Sequence, residues 1–335
     1  MTKPVKRIAV VDTGPSREMA ETVLKFVEDR YSFEFTRDTD ADYVFHSCFG
    51  YDVLNYSGVR IYVTGENVSP NFGISDYAMA FDKMEFGDRY CWLPLIKLYR
   101  EAYAALQTPR LPVDDVLKTK TDFCSYVMSS TRDSAPERTR IFDLLNEYKT
   151  VNSGGKWNNN VGGPVPNKLE FQSPHKFVIA CENCSTPGYL TEKFSEAAQA
   201  NAIPIYWGDP TIGSVFNPKA FVNCHDFQTL EAAVERVKQI DADDALYQQM
   251  LTEPWFPGGL EPECLRDDYF RNFLTRIFDQ EHADAYRRNR GRFGMKQERI
   301  LRRMYEQPLN HGIRRLRTKW LDLYHKVVPR KTYQG

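Results

Sequence analysis

Short apolar runs alternate with amphipathic stretches along the whole chain. The run RIAVVD (residues 7–12) is apolar at consecutive positions, as in a strand covered on both faces. Behind it, SREMAETVLKFVEDR places Met19, Val23, Phe26 and Val27 at helical spacing after the capping residue Ser16. YVFHSC, RIYVTG and YAMAF read as further strands, and LIKLYREAYAAL as a helix. QTPRLPVDDVLKTKTD, with two prolines and mixed charge, then reads as a linker, with a boundary near residue 118.

The alternation resumes beyond it. FCSYVMSS is a strand and PERTRIFDLLNEY a helix opened by Pro136. KFVIACE is a strand, followed by a helix whose Leu190, Phe194, Ala197 and Ala198 form one apolar stripe. AIPIYWG and AFVNCHDF are strands, and LEAAVERVKQI is a helix. Two sets of strand–helix alternation predict two doubly wound, Rossmann-like α/β domains, residues 1–118 and 119–285, with residues 286–335 as a tail. Ligands of such sheets lie beyond the carboxyl ends of the strands, which places the site in the cleft between domains.

Composition changes this picture at one end only. The 335 residues are 42% hydrophobic and 27% charged, ordinary for a globular chain with two cores. Residues 286–335, however, hold fifteen Lys and Arg against three acids, while the net charge of the whole is -1. A basic tail thus follows an acidic body. Within the tail Ile313, Leu316, Trp320 and Leu323 recur at helical spacing, which suits an anionic membrane surface or packing onto the body. No aromatic platform or binding motif for nucleic acid accompanies the charge. Seven scattered cysteines, the lack of a signal-peptide pattern and the lack of a long apolar run point to a reduced, cytoplasmic protein, peripheral on a membrane at most. Cys181 and Cys184 have C-x-x-C spacing, but a zinc site would need a second pair.

The candidate chemistry gathers at the strand–helix junction ENCSTPGYLTEK (residues 182–193). Tyr189, Glu192 and Lys193 share one helix flank, and a helix start suits a phosphate. Spacing alone reads Lys193 equally well as half of a solvated pair with Glu196. Asp38/Asp40 and Asp241/Asp243/Asp244 have D-x-D spacing, yet neither group follows a buried strand, so both read as turn and cap residues. NSGGKWNNNVGG is either a loop approaching phosphates or a flexible connection. A nicotinamide dehydrogenase is disfavoured because VVDTGPSREM lacks the glycine-rich fingerprint.

The stretch FVIACENCSTPGYLTEKFSEAAQANAIPIYWGDP resembles the signature of the α1,3-fucosyltransferases, glycosyltransferase family ten, with Cys184 where the family has serine and Leu190 where it has valine. VTGENVSPNFGISDYAMAFDKMEFGDRY is similar to the acceptor-domain segment of the bacterial lipopolysaccharide-type enzymes. SSTRDSAPERTRIFDLLNEY and FNPKAFVNCHDF complete four ordered matches between about residues 40 and 275. The resemblance implies a GT-B fold and an inverting transfer of L-fucose from GDP-fucose to the 3-hydroxyl, or the 4-hydroxyl, of GlcNAc in a lactosamine-type glycan. It implies Glu66 as general base, Arg138 on the diphosphate, and Glu182, Asn183, Tyr189, Glu192 and Lys193 on the donor. It also implies that no metal cofactor is required, a divalent ion being at most stimulatory. The competing class is a non-catalytic GDP- or nucleotide-sugar-binding protein of the same fold.

Overall fold

The computed structural model describes residues 2–13, 17–132, 134–289 and 291–306. The first sheet contains β1 (Val5–Val11), β2 (Ser32–Phe35), β3 (Tyr43–His46), β4 (Val59–Val63), β5 (Tyr77–Ala80) and β6 (Tyr90–Trp92), in the order β2-β1-β3-β4-β5-β6. The second contains β7 (Asp122–Tyr126), β8 (Val151–Ser153), β9 (His175–Cys181), β10 (Ile203–Trp207) and β11 (Val222–Asn223), in the order β11-β10-β9-β7-β8. Every pairing among these strands is parallel. Central strands such as β4 and β10 are buried at all positions, so β10 reads as a continuous apolar run and β4 is apolar apart from the buried Arg60.

Helices α1 (Glu18–Leu24), α2 (Arg100–Gln107) and α3 (Val113–Leu117) belong to the first half and the linker. Helices α4 (Glu137–Tyr148), α5 (Lys168–Gln172), α6 (Glu192–Gln199), α7 (Leu230–Ala242) and α8 (Asp244–Thr252) belong to the second. The expected helix over residues 95–106 is broken: a one-turn helix over Leu95–Leu98 ends at Tyr99, and α2 starts after it. Strands β2, β6 and β8 are not expected from the pattern. They have four residues or fewer, and β2 (SFEF) and β8 (VNS) also lack the run of consecutive apolar residues that marks the equally short β3 and β5.

The two sheets share a core. Helix α6 starts at Glu192, so Leu190, expected on its stripe, lies two residues before it; with Phe194, Ala197 and Ala198 of α6 it is buried in one cluster with Tyr62, Ala78, Ala80, Tyr90 and Trp92 of the first sheet and Val178 and Ala180 of the second. Burying Phe194 alone contributes about 1.5–3 kcal/mol. This helix therefore fixes the second domain against the first, and its N-terminus opens at the cleft.

The domain limits differ from the expected ones at the C-terminal end. Helix α9 (Asp267–Asp279) returns to the first sheet, where Phe270, Phe273, Leu274, Ile277 and Phe278 pack against Val23, Phe26, Val27, Tyr31 and Tyr43. Helix α10 (His282–Ala285) follows, with Ala285 in the same core. The second domain thus ends before residue 267 and not at 285, because an amphipathic helix carries no mark of which core it covers. The start of the tail is also part of the body. Arg287 forms two hydrogen bonds to Asp88 (2.6 and 2.9 Å), and buried Arg288 pairs with Asp76. Helix α11 (Arg292–Glu306) places Glu298 on Arg60 at 2.7 Å and Tyr305 against Tyr51. The predicted stripe at Ile313, Leu316, Trp320 and Leu323 lies outside the described residues.

At the end of β3, His46 is 2% exposed and its Nε2 lies 2.9 Å from Ser75 Oγ. Burial first, and the Arg60 charge second, push its imidazole from the ordinary 6.5 down to about 3. A depressed histidine is neutral in the folded chain while the unfolded chain takes up a proton below 6.5. Its stabilisation is therefore complete above about pH 6.5 and is lost as pH falls toward 3. By this linkage wild type loses about 2 kcal/mol more stability between about pH 7.5 and pH 5 than His46→Asn does. Urea unfolding of both proteins at the two pH values checks this, and equal losses contradict it.

Candidate active site

Strand β9 delivers the site. Its last residue is Cys181, and the next, Glu182, is completely buried. Glu182 accepts from the backbone N–H of Thr191 (2.7 Å), from Thr191 Oγ1 (2.6 Å) and from Lys193 Nζ (3.0 Å). With both oxygens engaged inside the protein, Glu182 acts through Thr191 and Lys193, as a positioning residue for the first turn of α6. Lys193 also donates to Glu192 Oε1 at 3.2 Å. Burial alone would lower the Lys193 ammonium, but the charges of Glu182 and Glu192 outweigh it and hold the pKa above its usual range. Burial would raise the Glu192 carboxyl, yet the Lys193 charge, helped by backbone hydrogen bonding and Lys168, brings it below the usual value.

Arg138, in the first turn of α4, has different company. It is 5% exposed, and its Nη1 donates to Ser134 Oγ (2.7 Å) and Asn183 Oδ1 (3.0 Å). Among the described residues its Nε has no hydrogen-bond partner and no carboxylate pairs with it. A buried charge held by neutral groups alone is costly and suits an incoming anion. Asn183, which orients this guanidinium, also accepts the Ala135 N–H at its backbone oxygen (2.9 Å). Arg138 and Lys193 converge: the side chains of Tyr126 and Cys181 feel the charge of both.

Glu66 approaches from the other domain. It is exposed, three residues past β4, and lines a cavity of about 210 Å³ with Met19, His46, Ser47, Phe49 and Gly65. The neighbouring Asn67 crosses the cleft, donating to Thr186 Oγ1 at 2.7 Å and Cys184 Sγ at 3.0 Å. Tyr189 is 3% exposed, with its ring edge-on to Phe81, and it feels the charges of Glu182, Lys193 and Glu66. Just before it, Gly188 has φ +90°, and its carbonyl oxygen accepts from Trp92 Nε1 at 3.2 Å. A Cβ there would fall 2.0 Å from Phe81 O, so only glycine permits this approach of the two domains.

Asn67 brings the Glu66 loop to Cys184 and Thr186, while in the second domain Arg138 is bonded to Asn183, and Lys193 to Glu182 and Glu192. Glu182 and Tyr189 are buried, and Tyr189 lies before α6, so it does not share a helix flank with Glu192 and Lys193 as expected. The expectation did not include Asn67 or Thr191. Each adjoins a selected residue in TGEN and LTEK, but neither carries the charge that drew attention to its neighbour. The D-x-D groups are structural as expected. Asp241 accepts from Lys149, Lys176 and Tyr148, Asp243 caps α8, and Asp38 and Asp40 pair with Arg7. No group of three or more His, Cys, Asp or Glu among the described residues is placed to hold a metal ion. The NSGGKWNNNVGG loop is not a loose connection: Asn159 bonds Gly155 and Gly163, Asn160 bonds Ser153 and Val151, and Trp157 packs on Phe142.

Comparison with known proteins agrees with this geometry. Residues 8–99 match the model of the alpha-(1,3)-fucosyltransferase FucT N-terminal domain, and residues 117–254 that of the glycosyltransferase family 10 (fucosyltransferase) C-terminal part. The chain is 34% identical to alpha-(1,3)-fucosyltransferase FucT of Helicobacter pylori over 75% of this chain and 60% of that one. It is 30% identical to a 3-galactosyl-N-acetylglucosaminide 4-alpha-L-fucosyltransferase of Bos taurus over 42% of this chain and 39% of that one. It thus spans less than two thirds of the length of these curated relatives. A crystal structure of an alpha1,3-fucosyltransferase superposes with a TM-score of 0.75 at 29% identity, covering 87% of this chain and 94% of the other. A crystal structure of an alpha1,3-fucosyltransferase with GDP-fucose gives 0.72, also at 29% identity, over 84% and 92% of the two chains. Two sheets facing across one cleft, with both halves matched in order, identify the chain as a member of the fucosyltransferases of glycosyltransferase family 10, with the GT-B fold.

Proposed function

We propose that this protein transfers L-fucose from GDP-fucose to the 3-hydroxyl of GlcNAc in a lactosamine-type glycan, with inversion at the anomeric carbon. The observation that carries the reading is the placement of one exposed carboxylate, Glu66, across the cleft from Arg138, a buried guanidinium without a carboxylate partner among the described residues. In a single displacement the acceptor oxygen attacks the anomeric carbon as the bond to the diphosphate breaks. Glu66 takes the hydroxyl proton, and one carboxylate suffices for this. GDP leaves with the bonding electron pair, and its growing negative charge meets Arg138, Lys193 and the amides opening α6. Glu192, held by Lys193, is placed to accept from hydroxyls of the fucose or the ribose. The transition state resembles an oxocarbenium ion, so a nearby carboxylate also favours it electrostatically. We infer that these cations make a divalent ion unnecessary for turnover, and at most stimulatory. Transfer to the 4-hydroxyl is the variant reading, favoured by the Bos taurus relative named for that position.

A GDP-release assay with GDP-fucose and lactosamine, run in excess EDTA, tests the proposal. Wild type turns over, and Glu66→Gln loses about 10²–10⁴ in kcat while its GDP affinity stays within about twofold. Binding of GDP with no release of GDP from GDP-fucose would instead fit a non-catalytic nucleotide-sugar-binding protein.

We further propose that residues 307–335, with seven Lys and Arg against one acid, hold the protein at an anionic membrane surface on the cytoplasmic side. Each such charge contributes about 1 kcal/mol near an anionic leaflet. No described helix is long and apolar enough to cross a membrane. The full chain should sediment with anionic vesicles at low salt, and a chain ending at residue 306 should not. Equal sedimentation of the two chains would assign the membrane-facing surface to another part of the protein.

A further inference from the structure

A second groove, of about 510 Å³, opens between the domains beside the cleft. One wall is the start of α2 with Tyr99, and the other is formed by α5 and the outer face of α6. Glu192, Glu196 and Gln199 lie at i, i+4 and i+7, so one face of α6 runs from the cleft into this groove. Tyr99 stands at the junction. It interrupts the helix over residues 95–107, is 44% exposed, and its hydroxyl is pushed up by burial and by the charges of Glu192 and Glu196, against that of Lys193. The α6 face thus links Glu192 to Glu196 and Gln199 in the groove, with Tyr99 on the facing wall.

The lining selects a ligand class. Lys168 pairs with Glu196, and Arg100 and Glu101 cancel in sign, so the groove offers no net charge to a phosphate. Its walls mix apolar residues with Arg100, Glu101, Lys168 and Glu196, and an acyl chain would bury these charged groups. Gln172 lines the groove, is 2% exposed, and its Oε1 has no hydrogen-bond partner among the described residues. An exposed ring, amide side chains and a neutralised ion pair match a neutral, hydroxyl-rich molecule: an aromatic face for the C–H side of a sugar, with donors and acceptors for its hydroxyls.

We propose that this groove is an outer subsite for the acceptor glycan, taking sugar units beyond the one that receives fucose. The inference rests on the transfer reading above. Interactions with distant units supply binding energy for orientation at the reacting hydroxyl, so a longer acceptor is the better substrate. Two acceptors test it, a lactosamine disaccharide and an oligomer of three lactosamine repeats, with wild type, Tyr99→Ala and Gln172→Ala. The ratio of kcat/KM, long over short, should be about ten in wild type and should approach one in Tyr99→Ala, with GDP affinity unaltered. Tyr99 is partly exposed, so this variant does not depend on core packing; Gln172→Ala should show the same trend. A wild-type ratio near one, or equal losses on both acceptors, overturns the subsite. If wild type transfers fucose to neither acceptor, the transfer reading itself fails. Saturation-transfer NMR of the oligomer on wild type and Tyr99→Ala then decides the groove alone. A saturation signal in wild type that disappears in the variant supports the subsite, and the absence of a signal in wild type overturns it.

Discussion

A guanidinium buried beside neutral partners is the constraint around which this cleft is built. Arg138 reaches Ser134 and Asn183 but no carboxylate among the described residues, and its Nε is unpaired there. Lys193, by contrast, is already held by Glu182 and Glu192. The two cations assigned to the leaving diphosphate in the proposed reaction are therefore unequal. Arg138 carries the uncompensated charge and a fork that fits phosphate oxygens, whereas Lys193 is a point charge set in place by a buried carboxylate. Such an arrangement costs stability in the empty protein, and binding of the anion offsets that cost.

The rest of the fold keeps that charge facing an acceptor. Helix α6, with Leu190 just before it, binds both sheets into one core through Leu190, Phe194, Ala197 and Ala198. The approach of Gly188 to Phe81 and the Asn67 bridge to Cys184 and Thr186 hold the Glu66 loop against the donor-side loop. The return of α9 to the first sheet ties the end of the second domain to the start of the first. Domain position and the placement of the Glu66 loop relative to Arg138 are thus set by the same few interactions.

Much of this is legible in the sequence. The long, fully buried strands and the α6 stripe announce themselves through periodicity, and charged residues beyond strand ends point to the cleft. What stays hidden depends on partners distant in the chain. Strands β2, β6 and β8 have four residues or fewer, and β2 and β8 also lack a run of consecutive apolar residues. The stripe of α9 gives its amphipathicity but not the core it covers. Glu182 reads as a ligand-facing acid, and only its hydrogen bonds with Thr191 and Lys193 reveal a buried positioning role. Asn67 is an ordinary polar loop residue until the opposite domain is placed before it.

The central claim of the proposed function is that Arg138, with which no carboxylate among the described residues pairs, receives the donor's diphosphate, at the expense of stability. It is tested most directly by Arg138→Met, with thermal unfolding of the ligand-free protein and GDP titration measured on the same sample. Loss of a charge-assisted hydrogen bond should weaken GDP binding roughly ten- to hundredfold. The ligand-free variant should melt at or above the wild-type temperature, because a costly buried charge is gone and its shape is filled. Retained GDP affinity with a lowered melting temperature would make Arg138 a structural arginine and contradict the account.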